Sequence, residues 1–191
     1  MHEYRMLIDG RMVDGEATMD VINPATGKPF ATAPRASLAQ LEEAVTAARA
    51  AFPGWAATPW DERRAALIAI AEALEANAGE IAPVLTMEQG KPVRAAMEEI
   101  YGTAMWFRAT AALDLPERVL ADDDARRVIE QRRPLGVVAA IVPWNFPLMM
   151  IGFKLPPALL AGNTVVLKPA PTTPLATLML AQLIAGIVPA G

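Results

Sequence analysis

Two short apolar runs constrain this chain more than any other feature. Residues 137–142 read VVAAIV and residues 164–167 read TVVL, both rich in β-branched side chains. An uninterrupted apolar run suits a strand covered on both faces. Pro143 has no N–H and ends the first strand. Residues 148–160 between the runs are long enough for a helix, with Pro147 near its start. Pro156-Pro157 is expected to kink that helix, because an interior proline deletes a backbone hydrogen bond. Gly162-Asn163 closes it, and residues 175–184 form a second helix after Pro174. The unit is βαβα, with a right-handed crossover and parallel strands. Parallel strands bring both carboxyl ends to one edge, where open α/β sheets bind ligands. Spacing alone therefore puts Trp144, Asn145 and Phe146 on one rim with residues 168–173.

The residues before this unit read as small antiparallel pieces and a helical layer. Asp9-Gly10 and the run from Asn23 to Gly27 are turn signals, giving two hairpin-like pieces over residues 4–35. Ser37 with Gln40 makes a capping box. Leu38, Leu41, Val45, Ala48 and Phe52 share one helical face, and Pro53-Gly54 is expected to stop that helix. Pro59 suits the first turn of the next helix, which carries Leu67, Ile70 and Leu74 inward and Glu62, Arg63 and Arg64 outward. Ile81, Val84 and Leu85 mark a third helix ended by Gly90. Val93, Met97, Ile100, Ala104 and Phe107 mark a fourth that ends before Pro116. The Trp and Met residues of this layer read as core. Residues 116–134 read as a charged antiparallel hairpin turning at Asp122-Asp123-Asp124. Arg126, Arg127, Arg132 and Arg133 have two readings, a solvated strand face, which is the simpler, or an anion site.

Composition removes several classes of function. The chain is 53% hydrophobic and 20% charged, which supports a large core. Its net charge of −4, with no long block of one sign, argues against nucleic acid as a partner. The first ten residues lack the basic and apolar regions of a signal peptide. The longest near-apolar stretches contain Pro, Asn or Lys, so no membrane span is expected. A cytoplasmic protein is the simplest reading. There is no Cys, one His (His2) and one Ser (Ser37). That inventory excludes disulfides, Cys/His metal sites and a Ser-His-Asp arrangement, so no metal is expected. His2 reads as solvated and idle. A nucleophile has to be Lys, a carboxylate, Thr or Tyr, or come from outside these residues.

Each rim residue has two readings. Asn145 is a turn former before Phe146-Pro147, or a neutral amide donor able to stabilise an oxyanion. Lys168 is a snorkelling strand-end cation, or a donor to ribose hydroxyls or a phosphate. No GxGxxG follows either strand.

PWNFP followed by FKLPPALLAGNTVVLKPAPTTP resembles the aldehyde dehydrogenase superfamily. INPATG, EQGKP and RRPLGVVAAIVPWNFP fit it too. The resemblance runs from about Leu7 to Gly191 and matches the N-terminal part of a family whose members are usually more than twice as long. It implies an α/β fold: a parallel Rossmann-like sheet portion, an N-terminal helical layer and small antiparallel β-hairpins. By that resemblance residues 1–115 hold the hairpins and the helical part of the cofactor-binding domain. Residues 116–134 match the arm that joins subunits, so a homo-oligomer, dimer or tetramer, is implied. Residues 135–191 are the first βαβα part of the dinucleotide-binding domain. The catalytic domain, with the Cys thiolate that attacks the aldehyde and the Glu that activates water, falls outside the chain.

The implied activity is oxidation of an aldehyde to a carboxylic acid, through a Cys thiohemiacetal and hydride transfer to NAD or NADP. Asn145 matches the side-chain half of the oxyanion hole. Lys154 matches a buried lysine proposed for proton relay or for support of the site. Ile141, Val142, Pro143 and Trp144 match the nicotinamide-ribose side of the cofactor groove, and Lys168, Ala170 and Pro171 its adenosine side. Phe146, Met149, Met150 and Phe153 match the aldehyde tunnel. Trp144 resembles the acid-forming branch. Pro171 stands where many NAD-preferring relatives carry Glu, which leaves NADP open. On this reading the 191 residues alone are inactive. Two other readings stay open: a non-catalytic fragment serving cofactor binding or subunit assembly, and an α/β domain with no dinucleotide site.

Overall fold

The computed structural model describes residues 3–191; the expectation for His2 lies outside them. Strands β1 (Met6–Ile8) and β2 (Arg11–Val13) pair antiparallel around Asp9 and Gly10, both at positive φ. Strands β3 (Ala17–Asn23) and β4 (Lys28–Arg35) pair likewise. The Asn23 side chain accepts from the Ala25 N–H at 2.9 Å, which fixes their turn.

Helix α1 (Leu38–Ala57) opens on the expected capping box: the Gln40 N–H donates to Ser37 Oγ at 3.2 Å, and the Ser37 N–H to Gln40 Oε1 at 3.1 Å. Two expectations for α1 are corrected. The helix does not stop at Pro53-Gly54 but runs a further turn. Trp55 in that turn is buried, and its indole N–H donates to the Leu159 carbonyl at 3.0 Å, so tertiary contact holds what proline weakens. Leu38 and Leu41 are exposed, and the inward face begins later, at Ala48 and Trp55.

Helices α2 (Trp60–Ala76), α3 (Ala78–Gln89) and α4 (Val93–Ala111) form the helical layer. Leu67, Ile70, Leu74, Ile81, Leu85, Ile100 and Phe107 are fully buried in one core with Leu148, Ile151 and Leu175. Each buried leucine stabilises the fold by about 2 kcal/mol. Arg63 does not point outward as expected. It is buried, and its guanidinium donates to the carbonyls of Leu160 at 3.0 Å and of Ala56 at 3.3 Å, and to that of Thr58. It closes the exposed carbonyl ends of α1 and of the helix ending at Leu160. The aromatic and Met residues of this layer are not all core: Trp55 is buried, while Met105 and Trp106 are exposed. Gly90 ends α3 at φ 93°, where a Cβ would stand 2.8 Å from Pro24 Cγ.

Strands β5 (Arg118–Asp122) and β6 (Arg127–Glu130) form an antiparallel hairpin whose arginines are exposed. The expected βαβα unit follows as β7 (Val137–Ile141), α5 (Pro147–Leu160), β8 (Thr164–Lys168) and α6 (Leu175–Ile184). Strands β7 and β8 are parallel, in register from Val137↔Thr164 to Ile141↔Lys168. Asn163 Oδ1 accepts from the N–H groups of Leu135 and Gly136 at 2.7 and 3.1 Å, which ties the starts of the two strands together. Helix α5 continues through Pro156 and Pro157 to Leu160. The two strands are not covered on both faces by the described residues: Ala139 and Ile141 are exposed. Among those residues no helix is long and apolar enough to cross a membrane.

Candidate active-site wall

Both loops of the predicted rim leave the carboxyl ends of paired strands. Ile141 and Lys168 are partners at the end of the ladder, and the Val142 N–H donates to the Lys168 carbonyl at 3.1 Å. Val142 is buried, whereas Pro143, Trp144, Asn145 and Phe146 are exposed. On the second loop Ala170 is buried and Pro171 exposed. The exposed Lys168 ammonium donates to the Pro169 carbonyl at 3.0 Å. Trp144 and Pro171, one from each loop, line the same open cleft of ≈ 520 Å³ with Ile22, Gln89 and Thr173. In that cleft Gln89 Oε1 and Thr173 Oγ1 are buried with no hydrogen-bond partner among the described residues.

Helix α5 divides the remaining predicted residues. Phe153 is exposed and meets Trp106 of α4 edge-on, with ring centroids 4.8 Å apart. Met149 is half-buried beside Gly102, where a Cβ would stand 2.5 Å from its Cε. Met150 is half-buried against the core. Lys154, matched to a buried lysine, is exposed, because nothing among the described residues covers its face of α5.

Three residues at the base of the loops were given no role from the sequence, although two of them, Glu88 and Lys91, fall within EQGKP. Neither α5 nor α6 has a capping side chain of its own, since Phe146 and Pro174 hold the cap positions. Two buried glutamates do that work from the helical layer. Glu99 of α4 accepts from the N–H groups of Leu148 and Met149 at 2.9 and 3.2 Å. Glu88 of α3 accepts from those of Leu175 and Ala176 at 2.6 and 3.0 Å. Each carboxylate thus meets the positive end of a helix. Burial pushes the Glu88 carboxyl up to about 7, against the downward pull of its two N–H donors. Glu99 is further paired with Lys91. Lys91 also donates to the Asn145 carbonyl at 3.3 Å and lies 4.3 Å from the centre of the Phe146 ring. The signal was present: Glu88 follows Ile81, Val84 and Leu85, and Glu99 sits between Ala96 and Thr103, both on buried helical stripes.

A parallel strand pair with two helix-backed loops at one edge is the arrangement in which open α/β sheets bind ligands. The aldehyde dehydrogenase family model matches residues 12–191, and the chain belongs to that family. It is 40% identical over 196 residues to phenylacetaldehyde dehydrogenase of Pseudomonas fluorescens, covering 94% of this chain and 38% of that protein. An aldehyde dehydrogenase structure from Brucella melitensis biovar abortus 2308 superposes at a TM-score of 0.93 with 39% identity, over 98% of this chain and 40% of that one. The structure of PnpE in complex with nicotinamide adenine dinucleotide superposes at 0.94 with 37% identity, over 99% and 40%. The chain therefore spans about two fifths of the length of these relatives.

Proposed function

We propose that this chain is the N-terminal portion of an NAD(P)-dependent aldehyde dehydrogenase that converts an aldehyde to a carboxylic acid. The observation that carries the reading is the exposed Asn145 on a rim shared with Lys168, within a chain matched to the family from residue 12 to 191. With no Cys in 191 residues, the attacking thiolate comes from residues outside this chain. Attack on the carbonyl carbon moves its electron pair onto oxygen, and the Asn145 amide donates to that oxyanion. Phe146, Met149 and Phe153 give the aldehyde an apolar wall.

The rim suits a dinucleotide in its donor set. Among the described residues the exposed Lys168 cation has only a neighbouring carbonyl as its partner, and exposed Ile141 and Trp144 offer apolar surface beside it. Lys168 would hold the adenosine ribose or its 2′-phosphate, and residues 141–144 the nicotinamide side. When bound, the cofactor supplies the hydride acceptor. Lys154 supports the site or relays a proton once covered. Residues 116–134 serve as the subunit arm of a homo-oligomer.

In the full-length enzyme, Asn145→Ala is expected to lower kcat by about tenfold to a thousandfold with little change in cofactor affinity. Steady-state kinetics together with NAD(P) titration check this. Turnover near the wild-type value would sink the assignment.

A further inference from the structure

We propose that Lys91 and Glu99 act as a clamp that positions the Asn145 amide, so that both are positioning residues for the reaction above. The inference rests on that reading and adds two residues to which the sequence assigned no role.

The clamp grips one short segment at four points. Glu99 takes the N–H groups of Leu148 and Met149, Lys91 takes the Asn145 carbonyl, and the Lys91 ammonium lies over the Phe146 ring. The two side chains are joined by their own ion pair. Their side chains are 10% exposed for Lys91 and 0% for Glu99, so neither charge is free to relax into water. Everything the clamp touches at residue 145 is main chain, while Asn145 itself is exposed. The peptide is fixed from behind and the amide is left for a ligand. Among the described residues no other side chain caps the start of α5, since Phe146 holds its cap position. A purely structural cap needs only Glu99; the contacts of Lys91 to Asn145 and Phe146 lie upstream of the helix and fix the loop.

The test is a double-mutant cycle in the full-length enzyme with Lys91→Met and Asn145→Ala. Rates are taken per titrated active site, so that lost folding does not count as lost turnover. Lys91→Met is expected to lower kcat about tenfold to a hundredfold with the KM for NAD(P) unchanged. In the Asn145→Ala background it is expected to cost almost nothing further, because its effect passes through that amide. Additive losses, or an unchanged kcat in Lys91→Met, overturn the clamp while leaving the role of Asn145 intact. An unchanged kcat in Asn145→Ala alone overturns the underlying reading instead. Should Lys91→Met yield no folded enzyme, the double variant Lys91→Met/Glu99→Gln carries the same cycle, since it removes the donor to the Asn145 carbonyl without leaving a buried carboxylate unpaired.

Discussion

Pro171 is exposed on the second rim loop, near the Lys168 cation, and puts no carboxylate there. On the proposed reading a carboxylate at this place would repel a 2′-phosphate. Pro171→Glu in the full-length protein is therefore expected to weaken NADP binding about tenfold and leave NAD binding nearly unchanged. Titration with each dinucleotide decides it, and equal NADP affinity in the two proteins removes Pro171 from the site. At this scale the sequence was informative about exposed residues and silent about buried charged ones. Asn145 and Lys168 could be placed on one rim from strand spacing alone. Arg63 read as a solvent-facing charge, yet its partners are carbonyls of Ala56 and Leu160, and the latter is 97 residues away in the chain. Periodicity marks which face a residue occupies but not the groups waiting there.

Helix α6 begins at Leu175 with its first N–H groups held by Glu88. Burial raises that carboxyl from 4.5 to about 7. Between those values the folded chain keeps a proton that the unfolded chain releases. Stability should therefore fall as pH rises from about 4.5 to about 7, by about 3 kcal/mol in total, and level off above. Glu88→Gln is expected to flatten that slope, read as melting temperature against pH. An identical slope in the variant shows that another group titrates there. Elements themselves were largely legible. The hairpins, the helical layer and α6 follow the sequence signals, because turn dipeptides, caps and apolar stripes act locally. Helix α1 departs from them at Pro53, where a buried Trp55 outweighs a local stop signal.

As a whole the molecule leaves apolar surface uncovered. The β5–β6 hairpin exposes Val119, Leu120, Val128 and Ile129, and Leu135 after it is 93% exposed. A two-stranded hairpin is marginal by itself, and exposed apolar residues on it suit a partner surface. Val119 and Ile129 are cross-strand partners on one face. Replacing both with Asp in the full-length protein is expected to reduce its oligomeric state, measured by light scattering. An unchanged mass would falsify the arm assignment.

The sequence by itself determined the order of elements, the parallel pair and the rim, since these follow from runs, turns and chirality along the chain. It also determined membership of the aldehyde dehydrogenase family, carried by PWNFP and the segment after it. Tertiary structure alone decided what stands behind the rim. Lys91 reaches the Asn145 carbonyl across 54 positions, and Glu88 reaches Leu175 across 87. The buried starts of α5 and α6 have no caps of their own and take a distant carboxylate instead, and only packing brings one there.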